Sequence, residues 1–183
     1  MNYLPYESEY SLSPKTEVKG FENAAAEGAA EVARALREAM RGKRVLVADC
    51  YPGTDQTALL AVLEQALPQA LALDSSTAFY AGEELTRRME TFLTEDRVRG
   101  RMFYGTLHDF VDAQGLEALR REAAAAPAQV IVCGVGASLV AEADVLVVAD
   151  VARWEIQKRY RRGMPNFNAD NGGEDILRKY KRG

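Results

Sequence analysis

Val45-Leu46-Val47-Ala48-Asp49-Cys50-Tyr51-Pro52-Gly53-Thr54-Asp55, followed by Gln56-Thr57-Ala58-Leu59-Leu60-Ala61-Val62-Leu63, decides the fold. A β-branched apolar run enters a Pro-Gly turn and leaves it on a helical apolar spacing, so the stretch reads strand, turn, helix. In an α/β protein that junction is where backbone N–H groups meet phosphate. Against the pattern G-x-x-x-x-G-K-[ST], with Gly53 as the second glycine, Ala48 replaces the first glycine, Thr54 the lysine and Asp55 the hydroxyl residue. Alanine takes positive φ less readily than glycine, threonine supplies no cation, and Asp55 opposes an incoming anion. Two readings of the turn stand: a tight βα connection with Thr54 or Asp55 as helix N-cap, which is preferred, and a weakened anion site formed by Tyr51, Pro52, Gly53, Thr54 and Asp55.

Three further apolar runs repeat the signal: Ala70-Leu71-Ala72-Leu73, Val130-Ile131-Val132-Cys133 and Val145-Leu146-Val147-Val148. Short, continuously apolar and separated by helical stretches, they predict parallel strands covered on both faces, hence a doubly wound α/β sheet in three layers. The crossover rule then places Val45–Asp49 centrally, with Val130–Cys133 on one side, Val145–Ala149 on the other, and Leu71–Asp74 beyond the former. Connecting helices are predicted at about 57–67, 83–93 and 116–125. A further helix over 152–162 stops at Gly163 with Pro165 behind it. Ahead of the sheet, apolar positions from Phe21 to Met40 recur at helical spacing, and Gly42 closes that helix. Residues 1–20 read as an extended arm, 21–165 as the α/β domain, and 166–183 as a turn-rich segment ending in the basic helix around Ile176–Arg182.

The length of 183 residues and the hydrophobic content of 48% fit one domain with a real core. A net charge of −4 with both signs interspersed offers no basic field for nucleic acid and no patch for a membrane surface. No apolar stretch reaches the roughly 18 residues of a span, and the start lacks the regions of a signal peptide, so a cytoplasmic location is expected. Cys50 and Cys133 each end a predicted strand and read as buried apolar residues. One histidine and two distant cysteines leave no metal constellation.

Asp49, Asp74 and Asp150 fall at the carboxyl ends of predicted strands, the edge where open α/β sheets bind ligands, and are expected to converge on one crevice. There Asp74 could act as a general base toward a substrate hydroxyl and Asp49 could orient a sugar or a metal; equally, each could cap the turn that follows. His108 with Asp109 and Asp112 reads either as a loop-borne cluster or as a helix start. Among the cations Arg153, Lys158, Arg159, Arg161 and Arg162, Glu155 stands four residues before Arg159 and the last turn favours positive charge, which leaves Arg153 and Arg162 as the ligand-binding candidates. Trp154 reads as a core or interface anchor.

The order of Tyr51-Pro52-Gly53, Asp74 with Phe79-Tyr80, Leu107-His108-Asp109-Phe110-Val111-Asp112, Val130-Ile131-Val132-Cys133-Gly134 and Val147-Val148-Ala149-Asp150 resembles the uridine kinase-like branch of the P-loop kinases. That resemblance spans about residues 44–163 and implies Asp74 as the base and Arg159 and Arg162 as lid arginines. A closer resemblance lies in Asp49-Cys50-Tyr51-Pro52-Gly53, Leu93-Thr94-Glu95-Asp96-Arg97-Val98-Arg99-Gly100, Gly134-Val135-Gly136-Ala137-Ser138-Leu139, Ala149-Asp150-Val151-Ala152-Arg153-Trp154-Glu155-Ile156-Gln157 and Leu177-Arg178-Lys179-Tyr180-Lys181-Arg182-Gly183. These runs look like the N-terminal domain of the long bacterial class I mannose-6-phosphate isomerases. The resemblance implies a kinase-like fold without cofactor of its own, a crevice for a sugar phosphate or small anion, and a partner in a downstream zinc-binding cupin domain. An active sugar or nucleoside kinase is the alternative expectation.

Overall fold

The computed structural model describes residues 14–22 and 24–182. Helix α1 (Ala29–Ala39) leads into β1 (Val45–Cys50), α2 (Gln56–Ala66), β2 (Leu71–Asp74), α3 (Gly82–Leu93), α4 (Ala113–Ala125), β3 (Val130–Gly134), β4 (Val145–Ala149), α5 (Arg153–Arg161) and α6 (Ile176–Arg182). All ladders are parallel and the strand order is β2-β3-β1-β4, the order expected from the sequence. In register, Val45 faces Val130 and Asp49 faces Gly134, while Cys50 faces Ala149 across the other edge of β1.

Strand alternation divides the core into two layers. Val45 and Val47 pack with Leu116, Leu119 and Ala123 of α4 on one face; Leu46, Ala48 and Cys50 pack with Ala33 of α1 and with Leu63 and Ala66 of α2 on the other. Helices therefore lie on both faces of a four-stranded parallel sheet, and β1 and β3 are buried on both sides as their uninterrupted apolar runs require.

The expected cover fails at β4. Val145, Val147 and Ala149 pack against the α1–α2 layer, but Leu146 and Val148 on the opposite face are 56% and 73% exposed. The reason is the connection: between β3 and β4 the chain forms only the 3₁₀ turn Ala137–Leu139, so no helix lies over that side of the edge strand.

The helix expected from Phe21 begins eight residues later. Gly28 stands at φ +82°, outside helical space, and Phe21 is exposed, so the apolar spacing there does not mark a buried face. Residues 1–13 of the expected arm lie outside the described residues, and 14–18 carry neither helix nor strand. The C-terminal segment belongs to the same body. Asn166 is buried and donates to the Lys179 carbonyl, Asn168 donates to the Ser76 carbonyl, and Lys179, 1% exposed, donates through Nζ to the carbonyls of Tyr160 and Gly172, both at 2.9 Å. Thus α6 is held by its cations rather than solvated by them.

Candidate functional site

The strand order places a switch point between β1 and β3. From β1 the chain passes through α2 toward β2 at one edge; from β3 it crosses on the opposite face to β4 at the other edge. The carboxyl ends of those two strands bound the crevice where open parallel sheets take ligands. An open cleft of about 560 Å³ lies there, with Asp49, Tyr51, Pro52, Gly136, Val148 and Asp150 among its walls.

Asp49 spans this crevice from beneath. Its Oδ1 accepts from the Gly136 N–H at 3.0 Å and its Oδ2 from the Ser138 N–H at 3.1 Å. The Gly134-Val135-Gly136 turn makes that possible. Gly134 has φ +133°, and a Cβ there would stand 2.5 Å from Ser75 Oγ; Gly136 is left-handed at φ +69°, and its Cβ would stand 2.6 Å from Phe79 Cζ. The turn aims the Gly136 and Ser138 N–H groups at one point as an anion-binding nest, and the anion it holds is the chain's own carboxylate. The sequence signal for it is the G-x-G after an apolar strand, Gly134-Val135-Gly136.

The β1 turn is bound up differently. Asp55 Oδ1 accepts from the Ala58 N–H at 2.9 Å and so caps α2, one of the two roles the sequence allowed it. Gly53 stands at φ +96° with Ile156 against it, and its carbonyl accepts from Arg159 Nη1 at 2.8 Å. Tyr51 is exposed and donates its N–H to the Ala149 carbonyl; Pro52 is half-buried; the Thr54 hydroxyl is buried with no hydrogen-bond partner among the described residues. Beside this turn opens a second cleft of about 560 Å³, walled by Thr54, Asp55, Thr57, Glu155, Arg159 and Arg162.

The arginines in that cleft are already countered. Glu155 accepts from Arg162 at 2.9 Å and from Arg159 at 3.5 Å, and pairs with Lys158 at 2.8 Å. The Lys158 ammonium, aided by Arg162 and Arg159, holds the Glu155 carboxyl down at about 2. With Asp55 and Glu155 facing Arg159 and Arg162, formal charge in the cleft walls balances. Arg153 lies apart, at a narrow recess with Tyr51, Pro52 and Gln157.

The three strand-end aspartates do not converge. Asp49 and Asp150 border one crevice, but Asp74 sits on β2 with β3 between it and β1, beside Gln56, Thr57 and Cys133. Its Oδ1 accepts from the Ser76 N–H at 2.8 Å and caps a short 3₁₀ turn, while Asp150 accepts from the next residue's N–H. His108 lies exposed on a 3₁₀ turn whose start is closed by Asp109 accepting from the Thr106 N–H, and Asp112 caps α4. Trp154 is 61% exposed and so is no core residue. Cys50 and Cys133 are free and buried, and the Cys50 thiol donates to the Ala48 carbonyl at 3.6 Å; each thiol acts on the other, which lowers the Cys50 pKa and raises that of Cys133. No group of three metal-ligating side chains occurs among the described residues, and no described helix is long and apolar enough to cross a membrane.

Fold and site together define a parallel, doubly covered α/β protein whose switch-point carboxylate is bound to its own backbone. The chain belongs to the family described as Domain of unknown function (DUF8485), whose model matches residues 28–183. No curated protein and no solved structure matches it.

Proposed function

We propose that this chain is a non-catalytic domain on a P-loop kinase-like frame, the N-terminal part of a mannose-6-phosphate isomerase, and that it docks the zinc-bearing cupin domain through the uncovered face of β4. One observation carries the non-catalytic half: Asp49, Asp55, Asp74 and Asp150 each accept from backbone N–H groups of their own or neighbouring turns. Carboxylates so used cap and brace the fold. The docking half is supported by Leu146 and Val148, exposed on an edge strand, with the exposed Tyr51 sharing the outer cleft with Val148. Apolar surface of that kind, rimmed by Asp150, fits a protein partner. The balanced cleft at Arg162 leaves room for a sugar phosphate but gives little net attraction to one.

A working sugar or nucleoside kinase has less support. Its base, Asp74, caps a turn; its phosphoryl-binding Arg162 is paired with Glu155; and Thr54 and Asp55 stand where a lysine and a magnesium-binding hydroxyl belong.

The test is association of the purified chain with the zinc-loaded cupin domain of a class I mannose-6-phosphate isomerase, followed by calorimetry. Binding is expected, with loss in the Leu146→Asp/Val148→Asp double variant, whose sites are exposed and tolerate charge. Absence of binding by the unaltered chain, or turnover of mannose 6-phosphate by the chain alone after chelation and zinc return, would overturn the proposal.

A further inference from the structure

Behind the switch-point crevice lies a second, partly open cavity of about 140 Å³ that shares Pro52, Leu107 and Val135 with the outer cleft. Leu85 and Met89 of α3, with Phe110 and Phe167, make its walls apolar. A wholly apolar cavity of this size, about 150 Å³ in the best-known engineered case, stays dry and accepts a benzene-sized guest. This one adds two uncharged polar residues, Tyr160 and Asn166, and one cation, Arg182 of α6.

The neighbours of Arg182 on α6 all find protein acceptors. Arg178 pairs with Glu90 and Glu174, Lys179 donates to two carbonyls, and Lys181 donates to the carbonyls of Leu93 and Asp96. Arg182 donates from Nη1 to the Thr86 hydroxyl at 3.1 Å, but its Nε is shut off from solvent and has no acceptor among the described residues. It makes no ion pair with a described carboxylate. The guanidinium therefore borders the cavity with no counter-charge, and an anionic group there would supply one.

The other polar residues around the cavity, Asn166 and Tyr160, are uncharged; Asn166 gives one Nδ2 hydrogen to the Lys179 carbonyl and its Oδ1 accepts from Asn171 Nδ2. One cation without a counter-charge and largely apolar walls therefore define what fits.

We propose that this cavity is a binding site for a small apolar carboxylate, with a ring or branched-chain body against Leu85, Met89, Phe110 and Phe167 and its carboxylate on Arg182. The volume excludes a nucleotide or a hexose phosphate. A dianion would enter with one charge unmatched between largely apolar walls. The site is independent of the docking face on β4 and of the identity of any attached domain.

Benzoate is the probe, with benzyl alcohol as its uncharged counterpart and inorganic phosphate as the anion without an apolar body. Calorimetry on the full chain is expected to show benzoate binding in the low millimolar range or tighter. Benzyl alcohol and phosphate should each bind at least about tenfold more weakly. Arg182→Met, which keeps an apolar side chain of similar reach, should weaken benzoate by at least about tenfold while leaving benzyl alcohol unchanged. Should that variant fail to fold, nuclear Overhauser contacts from benzoate ring protons to the side chains of Met89 and Phe167 in the unaltered chain decide the matter. Their presence locates the ligand in the cavity. Absence of benzoate binding, absence of those contacts, equal affinity for benzyl alcohol, or full affinity in a folded Arg182→Met variant would each overturn the proposal.

Discussion

Two turns flank the same crevice, one after β1 and one after β3, and both contain a glycine at positive φ with a side chain pressed against it. In the β1 turn the neighbour is the branched end of Ile156, 2.9 Å from where a Gly53 Cβ would stand. In the β3 turn it is the ring of Phe79, in the core, together with Leu107. The β1 turn carries the sequence that looks like a phosphate loop, yet its own Asp55 and Arg159 from α5 close it. The β3 turn carries the working anion nest, and Asp49 fills it. A fold can thus keep the geometry of an anion site and supply the anion from its own chain.

The comparison breaks most severely at Gly136. Gly136→Ala imposes a left-handed alanine and a Cβ 2.6 Å from a core ring, so a loss of about 3 kcal/mol is expected in chemical denaturation. Gly53→Ala should lose less, about 1–2 kcal/mol, because Ile156 can shift its side chain. Equal losses would remove the distinction between the turns.

Next in size is the pair of carboxylates. Asp49→Asn keeps one acceptor oxygen but gives up the charge and turns an N–H₂ toward an N–H, for an expected loss of about 2 kcal/mol. Asp55→Ala removes an exposed helix cap and should lose about 1 kcal/mol. The reverse order in urea melts would place the structural role in the wrong turn.

The smallest effect is a matter of pH. Glu155 is held at about 2 against an ordinary 4.5, so the stability it lends is fully present above 4.5 and drains away as pH falls toward 2. Glu155→Gln should make the acid limb of the stability curve shallower over that window. Part of the limb will persist, since backbone N–H groups also hold Asp96 and Asp144 below their usual values. An unchanged slope in Glu155→Gln would show that its cations are not gathered on it in solution.

What the sequence disclosed and what it hid divide along contact distance. The strand order was legible because four apolar runs and their intervening helices leave few right-handed arrangements, and Asp55 as a cap was legible because its partner is three residues away. Asp49 looks like a ligand group in the sequence because its partners lie 87 and 89 positions on, and nothing local announces them. Lys179 sat in a run of cations that reads as a solvated helix; its burial depends on carbonyls of Tyr160 and Gly172. The bare side of β4 was hidden because an apolar run reports burial only when something covers it, and the β3–β4 connection forms no helix. Arg182 illustrates the same limit, since only the packing of α3, α6 and the two turns creates its cavity.

Calorimetric titration of the purified chain with ATP·Mg²⁺ tests most directly the claim that the strand-end carboxylates serve the backbone and leave no nucleotide chemistry. With Asp55 capping α2, Arg159 and Arg162 drawn onto Gly53 and Glu155, and no lysine in the turn, the account predicts a dissociation constant of roughly millimolar or weaker. Micromolar affinity in the unaltered chain would contradict it and make the phosphate-loop reading of Gly53 the correct one.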